Sequence, residues 1–167
     1  WTPGYAAVVF VMWWIMMVAM MLPAASPTIL LYAKLSRRQR ELGRPFVPAG
    51  MFAAGYLIVW GVFGVAATAL QWSLESSGLL TMTMASANTV LSGTILLAAG
   101  LWQLTPLKHA CLRHCRSPLH FLTHRFHPGS VGALRMGAAH GLYCLGCCWF
   151  LMALLFFGGV MNLYWIA

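Results

Sequence analysis

Apolar positions along this chain come in long runs rather than in alternation. The runs cover about residues 5–32, 48–70, 87–103 and 136–157, and another opens at about residue 160 with "VMNLYWIA". A bilayer-crossing helix needs about 20 apolar residues. A membrane barrel would show short alternating segments instead. In lipid, a helix satisfies its own backbone groups. The pattern predicts an all-α fold, a polytopic transmembrane helix bundle forming a single integral membrane domain over 1–167. Four full spans are expected, with the start of a fifth that the end of the chain truncates. Within the first run, Pro23 and Pro27 are expected to kink or break the helix.

The polar segments between the runs set a direction. The loop at 34–46 carries Lys34, Arg37, Arg38, Arg40 and Arg44. The stretch at 105–135 carries one Lys, four Arg and five of the six His. The connection around Glu75 has no Lys or Arg. Basic loops stay in the cytoplasm, so both basic segments are expected inside and the N-terminus outside. The first run lacks a basic leader and a small-residue cleavage site, so it is not a removable signal peptide. The chain opens on Trp1 rather than Met, so residues are expected to precede it.

Composition agrees. Hydrophobic residues make up 61% and charged residues 7%, against about 25% charged in a soluble domain. Net charge is +8, with Glu41 and Glu75 the two acids. Nucleic-acid binding is excluded, because no basic-aromatic module accompanies that charge. No acid falls within a span, which disfavours carboxylate proton relays and di-iron centres. Neither a phosphate-cradling glycine loop nor a Ser/His/Asp set is present, and no activity as an enzyme on its own is expected.

Sulfur is where chemistry enters. In "MWWIMMVAMMLP", Met12, Met16 and Met20 share one helix face, and Met17 and Met21 lie on the adjacent one. Thioethers pack well and are soft ligands suited to Cu(I). In the 105–135 stretch, Cys111 and Cys115 are four apart, with His109 and His114 beside them. Lys108, Arg113 and Arg116 favour thiolates there, although an interfacial helix with incidental cysteines explains the pattern equally well. His120, His124 and His127 are further candidate ligands.

The densest motif is "GLYCLGCCWFLM". His140, Cys144, Cys147 and Cys148 can share one broad helix face. Counted from Arg135, Cys144 lies roughly 13 Å into the span, close to mid-bilayer. The Met ladder reaches a similar depth from the other side. Cysteines also pack between helices as small apolar groups. As neighbours, Cys147 and Cys148 are expected to point in different directions. Reduced thiols rather than a disulfide are expected at the cytoplasmic Cys111/Cys115 pair.

The pieces "MWWIMMVAMMLPAASP", "GLWQLTPLKHACLRHCRSPL", "GLYCLGCCWFLM" and "VMNLYW" resemble a bacterial family of predicted metal-binding integral membrane proteins. The resemblance runs from Met12 to Trp165. It implies a multi-pass protein of the bacterial inner membrane that binds metal and handles copper. The matching positions are Met12, Met16, Met17, Met20, Met21, Cys111, Cys115, His140, Cys144, Cys147 and Cys148.

The expectation is a soft-metal membrane protein, with copper preferred and zinc a lesser alternative. Its role would be copper delivery, storage or insertion, as a subunit of a larger membrane complex. Candidate partners are the lipid bilayer, other membrane subunits and a metal chaperone. Two other readings stand beside it, a metal-free accessory subunit and a membrane thiol redox protein.

Overall fold

The structure, a computed structural model, describes residues 1–43, 47–80, 89–117 and 129–158, with Leu119 and Leu122. The run expected from about residue 160, the start of the third run at 87–88, Arg44, His120, His124 and His127 lie outside the described residues. Every regular element described is helical: α1 (Pro3–Glu41), α2 (Ala49–Ser76), α3 (Thr89–Leu104), α4 (Pro106–Arg116), α5 (Ser130–Ala153) and the short α6 (Leu155–Gly158).

Thr2 caps α1, its side chain accepting from the Tyr5 N–H, and Pro3 takes the first position, where its missing donor costs nothing. The expected break at Pro23 and Pro27 does not occur, and α1 runs through both. Pro27 lacks the N–H that would bond the Pro23 carbonyl. The Ser26 hydroxyl donates to that carbonyl at 2.7 Å instead. The helix also continues past its apolar run to Glu41, so Lys34, Arg37, Arg38 and Arg40 ride on its last turns. Gly43, at φ +73°, ends it in the left-handed region that glycine occupies freely.

α1 and α2 pack as an antiparallel pair. At the turn end, the buried Ser36 hydroxyl donates to the Val47 carbonyl at 2.5 Å and accepts from the Val47 N–H at 3.3 Å. At the other end, the Trp13 indole donates to Gln71 at 2.8 Å. Gln71 donates to Glu75 at 2.8 Å, and the Trp1 indole donates to the second Glu75 oxygen at 2.7 Å.

α2 and α5 form the most extensive contact. Their backbones nearly touch, because small residues let them. A Cβ added at Gly137 would run into the Phe52 carbonyl, and one at Gly55 into the Leu134 carbonyl. Gly141 lies against Val59 and the Tyr56 carbonyl. Residue numbers rise together along these contacts, so the two helices are parallel. α2 is thus the helix that packs on both α1 and α5.

The third run, expected at about 87–103, coincides in its described part with α3, Thr89–Leu104. Pro106 pushes Thr105 into extended backbone, φ −73° and ψ 141°. Thr105 then caps α4, accepting from the Lys108 N–H at 3.3 Å. The chain bends by 68° there. Among the described residues, three helices, α1, α2 and α5, are long and apolar enough to cross a membrane, and the bent pair α3–α4 would make a fourth span if counted as one broken element. Although the polar stretch at 105–135 reads as a loop, its α4 portion is a helix packed along α5.

Candidate soft-metal site

The thiol helix α5 turns Cys144, Cys147 and Cys148 inward, each 9% exposed, with His140 at 3% one turn earlier. The Cys147 and Cys148 thiols do not diverge as adjacency suggested. Both donate to the Cys144 carbonyl, at 3.0 Å each. A carbonyl oxygen has two lone pairs, so one acceptor gathers both sulfurs on the same side of the helix.

α2 contributes Tyr56, which is fully buried. Its hydroxyl donates to the Met21 carbonyl of α1 at 3.1 Å and lies 3.3 Å from the Cys144 sulfur. With its hydrogen on Met21, the hydroxyl oxygen receives the Cys144 S–H. The His140 ring sits between the rings of Phe52 and Tyr56, with centroids 6.0 and 5.8 Å away. The fully buried Trp60 ring lies 6.3 Å from the Tyr56 ring, and its indole N–H has no hydrogen-bond partner among the described residues.

α4 delivers the second cysteine motif to the first. The Cys111 sulfur rests directly on Gly146, where an added Cβ would lie 2.8 Å from it. Cys115 packs against the core that holds Cys144, Cys147 and Cys148. His114 stacks flat on Tyr143, with centroids 4.2 Å apart and planes at 3°. Residues 111, 114 and 115 form one face of α4, and that face meets α5. All five cysteines are unbridged.

α1 closes the other side. Met17 is fully buried, and Met12, Met16, Met20 and Met21 pack against the same core as the α5 cysteines. Cys111 and Cys115 join that core too. The structure therefore gathers the predicted Met and Cys positions into one apolar cluster, with His140 beside it across the Tyr56 ring. Among the described residues, no three His, Cys, Asp or Glu side chains are arranged to hold a metal ion. The arrangement is instead one of thiols and thioethers gathered in a single apolar core.

Sequence reading missed Tyr56 and Trp60. Tyr56 carried a signal, since a phenol buried in an apolar helix needs a hydrogen-bond partner. Gly146 was legible as a small residue suited to close helix approach, but not the sulfur that would rest on it.

Fold and site together define an all-helical, strongly apolar protein whose interior concentrates soft sulfur donors. The family is more specific: the chain belongs to the PpoB2 copper chaperone family, whose sequence profile matches residues 10–167. Its function is accordingly copper-related. No curated protein and no solved structure matches the chain.

Proposed function

We propose that this protein is a membrane copper chaperone that carries Cu(I) as cargo on the sulfur cluster between α1, α4 and α5. The observation that carries the reading is the convergence of both cysteine motifs and the Met ladder on one buried core. Thiolates and thioethers are soft ligands that select Cu(I). Cys144, Cys147 and Cys148 would supply thiolates, and Met12, Met16, Met17, Met20 and Met21 thioethers from the facing helix. His140 flanks them. Cys111 and Cys115 on α4 would be the exchange arm through which copper enters or leaves.

Soft thiolate and thioether donors select Cu(I), and the shared core offers both. Zinc, which favours four closed N/S ligands in structural sites, fits less well, since no group of three His, Cys, Asp or Glu is preset among the described residues. In this reading α1, α2 and α5 cross the bacterial inner membrane, the bent α3–α4 pair forms a broken fourth span, and the N-terminus lies outside. The chaperone would deliver or insert copper as a subunit of a larger membrane complex.

Metal analysis of the purified protein tests this. Near-stoichiometric copper is expected in the native chain and its loss in a Cys144/Cys147/Cys148→Ser variant. Equal copper in both would overturn the reading.

The same lack of a preset ligand group favours a second reading, a metal-free accessory subunit. On α3, Val90, Leu97 and Leu101 are broadly exposed, as a packing surface for another subunit requires. A partner complex that survives replacement of all five cysteines and chelation would support it.

A further inference from the structure

We propose that the outward face of α4 lines a positively charged, water-filled vestibule that opens to the cytoplasm and reaches the level of the sulfur core. The inference rests on the reading of α1, α2 and α5 as membrane spans and adds an aqueous entrance to it.

Depth is read from α5. The Cys111 sulfur rests on Gly146. From Arg135 to Gly146 the helix rises about 16 Å, at about 1.5 Å per residue, near the centre of a hydrocarbon core about 30 Å thick. His114 stacks on Tyr143, so α4 runs back from that depth toward the end where α5 begins. Leu122, further along the chain, is buried with Tyr32, Val47 and Ala133 at that end. Lys108, His109 and Arg113 lie within one turn of Cys111 on α4, and so share its depth.

Their direction follows from what α4 keeps for α5. Cys111, His114 and Cys115 occupy the inner face, whereas His109, Ala110 and Arg113 are exposed and Lys108 is half-buried. Charged side chains at mid-membrane face a bundle interior or a water-filled cavity rather than lipid. α4 packs on α5 and α3, and neither of those helices carries an Asp or Glu to balance the cations. The backbone makes the same demand independently. Thr105 leaves helical geometry, at φ −73° and ψ 141°, and is half-buried. It lies just past Trp102, whose ring meets Trp149 and Phe150 of α5 at 5.6 and 5.3 Å. Non-helical backbone at membrane depth stands only where protein buries it or a water-filled cavity adjoins it. Water along α4 satisfies the cations and the break together. It also brings polar solutes to Cys111 and Cys115, both half-buried, without a passage through lipid. The positive lining draws in anionic solutes ahead of cationic ones.

Ala110→Cys places a thiol on the outward face without removing a charge. Val62→Cys on α2 and Ile15→Cys on α1 replace exposed apolar residues; Ile15 adjoins Met16 of the sulfur core. Each variant of the full chain is treated with membrane-impermeant thiosulfonate reagents, one anionic and one cationic, in inside-out and right-side-out inner-membrane vesicles. Peptide mapping locates the label, so the native cysteines stay in place. In inside-out vesicles Ala110→Cys is expected to react about tenfold faster than the other two, because a thiol in apolar surroundings is held protonated. The anionic reagent is expected to react with it several-fold faster than the cationic one. Silence at Ala110→Cys in inside-out vesicles, with Val62→Cys and Ile15→Cys also silent, overturns the vestibule and leaves the spans standing. Labelling confined to right-side-out vesicles overturns its cytoplasmic opening, and equal rates for the two reagents overturn its positive lining. Fast labelling of Val62→Cys and Ile15→Cys overturns the membrane-span reading itself, and the vestibule with it, so the two failures are distinguishable.

Discussion

The Tyr56 hydroxyl lies 3.3 Å from the Cys144 sulfur, and the same oxygen is 3.1 Å from the Met21 carbonyl. One side chain of α2 thus touches the thiol helix and the Met helix at the level where they share a core. It fixes the sulfur nearest His140 and couples the two walls of the site.

Tyr56→Phe keeps the ring and removes both contacts. Each buried hydrogen bond contributes about 1 kcal/mol, so a loss of about 1–2 kcal/mol is expected in thermal unfolding. Cu(I) affinity, measured by chelator competition, is expected to fall about tenfold, equivalent to about 1.4 kcal/mol. An unchanged affinity would remove Tyr56 from the site.

Gly137 and Gly146 separate two kinds of glycine contact. At Gly137→Ala the new methyl meets the Phe52 backbone, which cannot swing aside. Overpacking of this kind costs about 1–3 kcal/mol, and loss of folded protein is expected. At Gly146→Ala the methyl meets the Cys111 side chain, 2.8 Å away. There the bundle should hold while Cys111 is displaced, read as faster alkylation of that thiol.

Met17→Leu tests the thioether alone. Volume-conserving exchanges usually cost less than about 1.5 kcal/mol, so the melting curve should move little. Copper retention should nevertheless weaken. Equal retention would mean that Met17 serves packing only.

Gln71→Leu removes the acceptor that the buried Trp13 indole uses at 2.8 Å. Loss of one partner of a buried hydrogen bond costs about 1–3 kcal/mol. The destabilisation should appear in the α1–α2 pair, measured by hydrogen exchange at Trp13 and its neighbours. Copper stoichiometry should persist, because none of the proposed sulfur ligands is changed.

The helices α1, α2 and α5 were legible because their apolar runs are long and carry few charges. The identity of the sulfur positions was legible from helical spacing. What spacing does not encode is which helices touch. Cys111 and Cys115 sit in a segment rich in Lys, Arg and His, so the stretch reads as a loop, yet its face at 111, 114 and 115 is the one that seats on α5. The prolines announced a kink or break; a break does not occur, because Ser26 supplies the donor that Pro27 lacks and α1 runs on. The third run was placed close to α3 by hydropathy, which does not show that the chain then bends by 68° at Thr105 into a second helix.

The clamp at the far end of α1 and α2 bears on what this protein refuses. Glu75 spends both oxygens, one on Trp1 and one on Gln71, and Glu41, the other acid in the sequence, stands at the exposed tip of α1. The sulfur core is therefore left without a carboxylate. Mg²⁺ and Ca²⁺ favour carboxylate oxygens, and neither acid of the sequence stands beside the thiols. Discrimination against the abundant hard cations is then achieved by omission, before any copper ligand has been placed.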